Sequence, residues 1–370
     1  MKKISEINNA SKIVIKIGSS ILIDKNKFNY KWLESFVEEL VDFQNKEFII
    51  VVSGAVALGK SYLKLISDDF KINQKQALAA CGQIILMNNF IKAFETKKRK
   101  VAQILLSFSD IENRRRSLNS KETLKTLIES NVIPIINEND TVATDELKFG
   151  DNDRLAARVA QIMEADLLIL LSDVAGLYDK NPKNNKNANL IQLIKKIDSN
   201  IYKSASTETN IYGSGGMFTK IQAAEIASSF GCNTLIFQGN IQKPILNLKK
   251  KNIGTLFISN NEKKKGLKNW LAGSINISGT LLIDNGAQEA LNNGASLLPS
   301  GIKKVLGNFC KGDIVEIINN KNEKLGKGIS YYDSIEIKKI KGKKSIFIKE
   351  ILGYEGREEV VHRDYLFLEI

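Results

Sequence analysis

KIVIKIGSS, Lys12–Ser20, is an apolar run that stops on a glycine–serine turn. The same grammar recurs in FIIVVSGA (Phe48–Ala55), IPIINENDTVATDELKFGDND (Ile133–Asp153) and LLILLSDVAGLYD (Leu167–Asp179). A fifth segment, GSGGMFTK (Gly213–Lys220), opens a helical stretch. Aliphatic runs without polar alternation are strands buried on both faces. A turn of Gly, Ser, Asn or Asp after each run is how a parallel α/β sheet assembles one site at its strand ends. Two of these segments set a lysine beside glycines, and two carry acidic clusters. Lysines and backbone amides hold phosphates, and carboxylates hold a metal or an amine. The residues therefore point to phosphoryl transfer onto a small molecule.

Outward from these segments, strands alternate with helical stretches up to Ser259. Strands are expected at Ile13–Ile17, Phe48–Val52, Val101–Ser107, Val132–Ile136, Leu167–Leu171 and Thr234–Phe237. Helical stretches fall at Tyr30–Gln44, where Trp32, Phe36, Val37 and Leu40 share one face, and at Gln76–Thr96, Ser120–Asn131, Arg154–Glu164 and Thr219–Phe230. This β–α alternation predicts a mainly parallel sheet sandwiched between helices. The texture then changes. Residues 260–273 form a polar linker beginning NNEKKKGLK, and residues 274–370 form a small, mostly β module with frequent glycine turns. Its expected strands are Ile275–Ile277, Thr280–Ile283, Ile314–Ile318, Glu336–Lys339 and Ser345–Ile348, with a helix near Gln288–Asn292. The catalytic domain is placed at residues 1–259.

Composition narrows the class. With 370 residues, 43% hydrophobic and 26% charged, the chain has ample core for two or three domains. No stretch nears the ~18 uninterrupted apolar residues of a membrane span. The start MKKISEINNASK lacks the apolar segment of a secretory signal. Three scattered cysteines fit neither a disulfide framework nor a zinc site, so a cytoplasmic location is expected. The net charge of +13 invites a nucleic-acid reading, but it is spread along the chain. From Lys265 onward 16 Lys and Arg stand against 13 Asp and Glu, and the rest carries 38 against 28. An anionic substrate and nucleotide explain a basic site equally well.

GAVALGKS (Gly54–Ser61) matches the P-loop pattern letter for letter and follows an apolar strand. A P-loop needs an irregular nest of amides around the phosphates, whereas Ala-Val-Ala-Leu favours a helix. A helix from Gly54 would carry Lys60 roughly 9 Å beyond its start. The better role for this turn is Ser53, Gly54 and Ala55 presenting amides to an anion at a helix N-terminus. Lys16 sits in a strand just before Gly18, whose backbone leaves room for a phosphate that Lys16 also reaches. Asn137 to Asp140 and Asp151 to Asp153 flank a loop dense in acids and amides, suited to an ammonium group or Mg²⁺. Ser172 and Asp173 end the most apolar strand, as a nucleotide contact or as turn residues. Gly215, Gly216 and Lys220 read as a phosphate clamp at a helix start. His362, the single histidine, makes neither a metal site nor a triad alone, and Arg114–Arg116 reads as a solvated turn.

These segments, in this order and spacing, resemble the amino acid kinase superfamily and, within it, the glutamate 5-kinase family. The likeness runs from Lys12 to Phe257, and the INEND and GDND pair is its most specific part. The module from Ser274 resembles the PUA domain, an RNA-binding type of β module. The resemblance implies ATP with Mg²⁺, L-glutamate as acceptor, a homo-oligomer (dimer or tetramer) and feedback inhibition by proline. RNA binding by the C-terminal module is weighed against its near-balanced charge. Carried over by motif, Lys16, Lys220 and Asp153 are catalytic, with Asp153 orienting both lysines. Ser53, Gly54, Ala55, Asp140 and Asn152 would hold the acceptor. Lys16, Gly18, Ser172, Asp173, Ser214, Gly215, Gly216, Met217, Phe218, Thr219 and Lys220 would hold the nucleotide. Ser172 and Ser214 stand where the family often has threonine, and both keep the hydroxyl.

Overall fold

The computed structural model describes residues 2–24, 27–43, 45–67, 69–107, 110–111, 113–142, 152–182, 185, 187–205, 216–259 and 277–368. The linker placed at 260–273, the start of the C-terminal module, and Ser214 and Gly215 lie outside the described residues. The chain divides into two compact units, Met1–Glu112 with Asn119–Asn261, and Asn113–Leu118 with Glu262–Ile370.

The first run of elements is α1 (Lys2–Asn9), β1 (Lys12–Ile17), α2 (Ser19–Leu22), β2 (Ile23–Asp24), β3 (Lys27–Phe28), α3 (Tyr30–Val41), β4 (Glu47–Val52), α4 (Ala55–Tyr62), α5 (Ile72–Glu95) and β5 (Lys100–Leu106). There follow α6 (Arg114–Glu129), β6 (Val132–Glu138), α7 (Asn152–Ile162), β7 (Leu167–Ser172), β8 (Leu193–Ile194), α8 (Ser199–Ala205), α9 (Met217–Ser229), β9 (Asn233–Gln238), α10 (Pro244–Lys251) and β10 (Thr255–Phe257). Eight strands join in the order β5-β6-β4-β1-β7-β9-β10-β8. Every neighbouring pair is parallel except β9 with β10. From β1 the chain builds β4, β5 and β6 on one side and then crosses to β7 and β9 on the other. The carboxyl ends around β1 are therefore the switch point where such sheets bind ligands.

Strand parity decides what each face carries, because successive side chains point to opposite faces. Ile13, Ile15 and Ile17 of β1 join Ile50, Ile135 and Ile169 in a core with Trp32, Phe36, Leu86, Phe90 and Phe94 of α3 and α5. Val14 of β1 joins Val51, Ile136 and Leu170 in a second core with Leu155 and Val159 of α7 and Ile221 and Ala224 of α9. Lys16 shares the parity of Val14 and so faces α7 and α9. The shared parity follows from the sequence, and the helices that cover that face are seen in the structure.

Local chemistry sets the flanking helices. Asn29 caps α3, its side chain accepting from the Trp32 N–H. Trp32 Nε1 donates to the Gly239 and Ile241 carbonyls, which fixes α3 against the end of β9. Helices α4 and α5 cross through glycines: a Cβ on Gly59 would lie 1.9 Å from the Leu78 oxygen, and one on Gly82 1.8 Å from the Ala55 oxygen. Helix α5 is long and apolar enough to cross a bilayer by length and composition. Its Leu86, Phe90 and Phe94 are core residues of this unit.

In the second unit β11 (Gly279–Ile283), α11 (Asn285–Asn292), β12 (Ile302–Gly307), β13 (Ile314–Ile318), β14 (Lys324–Ile329), α12 (Ser334–Ile340), α13 (Ile348–Leu352) and β15 (Leu366–Leu368) follow in order. The sheet runs β12-β11-β13-β14-β15, antiparallel except for β11 with β13. Two expected strands are helical instead. Glu336–Lys339 lies in α12, where Asp333 and Glu336 form a capping box and Ile337 and Ile340 bury one face. Ser345–Ile348 becomes a 3₁₀ turn, Ser345–Phe347, leading into α13. Ile346 is 78% exposed there, so its β-branched shape finds no sheet to join. The Ile275–Ile277 expectation falls mostly outside the described residues.

Candidate active site

Three helices begin just beyond the carboxyl edge of the sheet, with Gly18, Gly54 and Gly216 as their N-caps. Helix starts leave backbone N–H groups unpaired and carry partial positive charge, so such an edge favours anions. Gly54 has φ +108°, a conformation that side chains disfavour, and a Cβ there would crowd Ile23 Cδ1 at 2.9 Å. Lys16 Nζ lies 3.9 Å from where a Cβ on Gly18 would stand, so ammonium and turn adjoin.

At the centre is a buried charge arrangement. Asp153, in the first turn of α7, is 0% exposed, and Lys16 and Lys220 are 5% and 6% exposed. Lys16 Nζ lies 2.7 Å from Asp153 Oδ1, and Lys220 Nζ 3.0 Å from Oδ2. Burial by itself would raise the Asp153 carboxyl, but the two ammonium groups outweigh it and hold the carboxyl well below the usual carboxylate range. Thr219 Oγ1 is 3.3 Å from Asp153 Oδ2 and 2.7 Å from the Gly216 oxygen. Three elements far apart in sequence thus meet on the face that strand parity assigned to Lys16. Among the described residues two cations surround one anion, an arrangement that suits a further anion.

On the neighbouring side Asn152 Nδ2 donates to the Val52 carbonyl and, at 2.8 Å, to Asn137 Oδ1. Asn137 Nδ2 donates to Gln83 Oε1 at 2.7 Å. Ser53 follows Val52 directly, and its Oγ is buried with no partner among the described residues. Ala55 begins α4. Lys60 stands in the last turn of that helix, away from the N-terminal amides. The second glycine of the P-loop match, Gly59, serves the crossing with α5 instead. Asp140 is half-buried, and burial pushes its carboxyl up to about 6.

Ser172 is buried at the end of β7, its Oγ accepting weakly from the Val174 N–H, and Asp173 is exposed. Met217 and Phe218 open α9, with the Phe218 ring 5.3 Å from that of Tyr202. Of the residues named from sequence, the described geometry joins Lys16, Asp153, Thr219 and Lys220 directly. It links Asn152 to the backbone just before Ser53. Gln83 was not among them, and its one sequence signal is a polar residue within the apolar CGQIIL stretch of α5.

A family model described as the amino acid kinase family matches residues 11–238. The chain belongs to the amino acid kinase family. A PUA domain model matches residues 279–352. A Glutamate 5-kinase of Pelagibacter ubique (strain HTCC1062) is 47% identical over 355 residues, covering 95% of this chain and 96% of its own. A Glutamate 5-kinase of Dictyoglomus turgidum (strain DSM 6724 / Z-1310) is 41% identical over 368 residues, covering 98% of each. The amino acid kinase match spans every strand of the first sheet but β10, and the PUA match spans every strand of the second sheet but β15.

Proposed function

We propose that this chain transfers the γ-phosphoryl group of ATP to the side-chain carboxylate of L-glutamate, giving γ-glutamyl phosphate and ADP, the first step of proline synthesis from glutamate. The observation that carries the reading is the pair of buried lysines converging on Asp153 at the carboxyl edge of the sheet. The acceptor is suggested by the relatives named above, similar over nearly their whole length.

The nucleophile needs no general base, because a glutamate carboxylate with a pKa near ~4.3 is already ionised at pH 7. The barrier lies in bringing one anion up to another, so catalysis falls to in-line positioning and charge neutralisation. Lys16 and Lys220 neutralise charge on the transferring phosphoryl and its leaving oxygen, and Asp153 holds the two ammonium groups apart and aimed. The amides beyond Gly18 and Gly216 take phosphate oxygens. Ser172, Asp173 and the 214–219 segment hold the rest of the nucleotide. Ser53, Gly54, Ala55, Asp140 and Asn152 hold glutamate, with Asp140 as counter-charge for its ammonium.

Mg²⁺ in such sites is bound through one or two carboxylates together with the substrate phosphates. Among the described residues no group of three His, Cys, Asp or Glu stands ready to cage an ion, and both Asp153 oxygens face lysines. That donor set fits an ion arriving on the nucleotide, where it would supply further charge neutralisation. The same reading places catalysis in residues 1–259, with 274–370 as an appended module whose RNA binding is secondary. It also makes the enzyme a cytoplasmic homo-oligomer inhibited by proline.

The test is ATP turnover against L-glutamate, L-aspartate, N-acetylglutamate, carbamate and UMP, with hydroxylamine trapping any acyl phosphate. Hydroxamate from L-glutamate is the expected result. Hydroxamate from a different acid would move the acceptor assignment, and no turnover with any of them would remove the kinase reading.

A further inference from the structure

We infer that Gln83 is a positioning residue for the acceptor site: through Asn137 it braces the Asn152 side-chain amide in the orientation that the Val52 carbonyl sets, and so favours an acceptor that carries an ammonium group. The inference rests on the acceptor role proposed for Asn152. A backbone carbonyl can only accept, so the Val52 oxygen obliges Asn152 to present its Nδ2. The other hydrogen of that nitrogen goes to Asn137 Oδ1, which obliges Asn137 to turn its own Nδ2 the opposite way, onto Gln83 Oε1. The polarity of all three amides follows from Val52, independent of any choice of oxygen and nitrogen in a side chain. With both Asn152 hydrogens committed, its Oδ1 is a fixed acceptor, complementary to an ammonium and unfavourable to a carboxylate.

Gln83 closes this relay from α5, on the far side of the sheet from Asp153, and is 8% exposed. Asn137 shares the strand parity of Ile133 and Ile135, which pack in the α3 and α5 core, so β6 delivers it to the Gln83 side. The Gln83 Nε2 is buried with no partner among the described residues. The oxygen of this amide satisfies the buried Asn137 Nδ2, while a methionine here would remove the unpartnered nitrogen only by leaving that donor without its acceptor. A half-satisfied amide in a core helix, present for the acceptor it offers Asn137, marks a place where local packing has yielded to another demand. Without the Gln83 oxygen, Asn137 Nδ2 loses its acceptor, Asn137 is free to turn, and Asn152 loses the partner that holds its second hydrogen.

The experiment uses the full chain with Gln83→Met and Gln83→Glu, the second keeping an oxygen toward Asn137. Steady-state constants are measured for L-glutamate at saturating ATP and for ATP at saturating glutamate. Competitive inhibition by glutarate, which lacks the ammonium, is measured alongside. Gln83→Met should raise the glutamate KM about ten- to hundredfold, the range of a hydrogen bond to a charged group. Its kcat and ATP KM should stay near wild type, and glutarate inhibition should change little. Gln83→Glu should recover most of the lost glutamate affinity. An unchanged glutamate KM in Gln83→Met overturns the inference, as does a parallel rise in the ATP KM with a fall in kcat and in melting temperature. If Gln83→Met does not fold, Gln83→Leu carries the same expectations. A wild-type chain that forms no hydroxamate from glutamate refutes the proposed reaction itself, whereas normal wild-type turnover with an unaltered variant refutes only the role of Gln83.

Discussion

Replacing Asp153 with asparagine takes the negative charge from between Lys16 and Lys220 while nearly preserving shape. The wild-type carboxylate is fully buried and lies 2.7 Å and 3.0 Å from the two ammonium nitrogens. Removing one member of a buried ion pair costs roughly 3–5 kcal/mol, because its partner stays buried without compensation. The two ammonium groups that share this carboxylate would then repel each other across a buried site with nothing between them to offset it. In a domain of this size each kcal/mol shifts the melting temperature by about 2–4 °C, so a fall of about 6–20 °C is expected.

The lysines of the variant still await an anion, and ATP phosphates supply one. Nucleotide should therefore stabilise Asp153→Asn more than it stabilises wild type, because binding relieves a repulsion that wild type lacks. Differential scanning calorimetry with and without ATP reads both quantities, and turnover should fall about 10²–10³-fold in the same preparation. The depressed Asp153 carboxyl contributes stability that is complete above the unfolded pKa near ~4 and is lost as pH falls through its folded value, so the difference between the two proteins should narrow only in acid. A variant that melts with wild type, or that gains no more from nucleotide than wild type does, would show that Asp153 is not the counter-charge of the two lysines.

The other expectations are simpler to read. Lys16→Ala and Lys220→Ala should each lower kcat by about 10²–10³-fold with the fold intact by circular dichroism, and Lys60→Ala should change it less than about threefold. A dead Lys60→Ala beside an active Lys220→Ala would restore the P-loop reading. The glutamate KM should rise about tenfold between pH 7 and pH 5, because burial raises Asp140 to about 6 and the protonated carboxyl offers no charge to an ammonium. Asp140→Asn should start from a high KM and flatten that profile, and a profile that stays steep in the variant would assign the titration elsewhere.

Much of this was legible in the strings of residues. Lys12–Ile17 and Leu167–Ser172 are buried almost throughout, and such strands announce themselves by composition alone. The converging lysines were placed by their neighbours, one before a glycine turn and one at a helix start. What the sequence hid had local causes. Ile335, Ile337 and Ile340 read as either strand or helix, and the Asp333–Glu336 capping box decides for helix, a signal outweighed by the β-branched run. The P-loop match hid the use of Gly59, since a glycine needed for close helix packing is spelled like one needed for a phosphate. Gln83 is a single polar letter on a core helix, and its partner Asn137 is 54 residues away.

The start of α7 explains why the acceptor and phosphoryl halves of such a site stay in register. Consecutive helical residues project about 100° apart, so Asn152 and Asp153 turn to different sides of the sheet edge. Asn152 ties the helix start to the end of β4 and, through Asn137, to β6 and α5. Asp153 ties the same turn to β1 and α9 through the two lysines. Under the proposed reaction one residue orients the acceptor and the next orients the cations that receive the phosphoryl charge. A shift of α7 would then move both together, preserving their separation, which in-line transfer needs more than the absolute position of either.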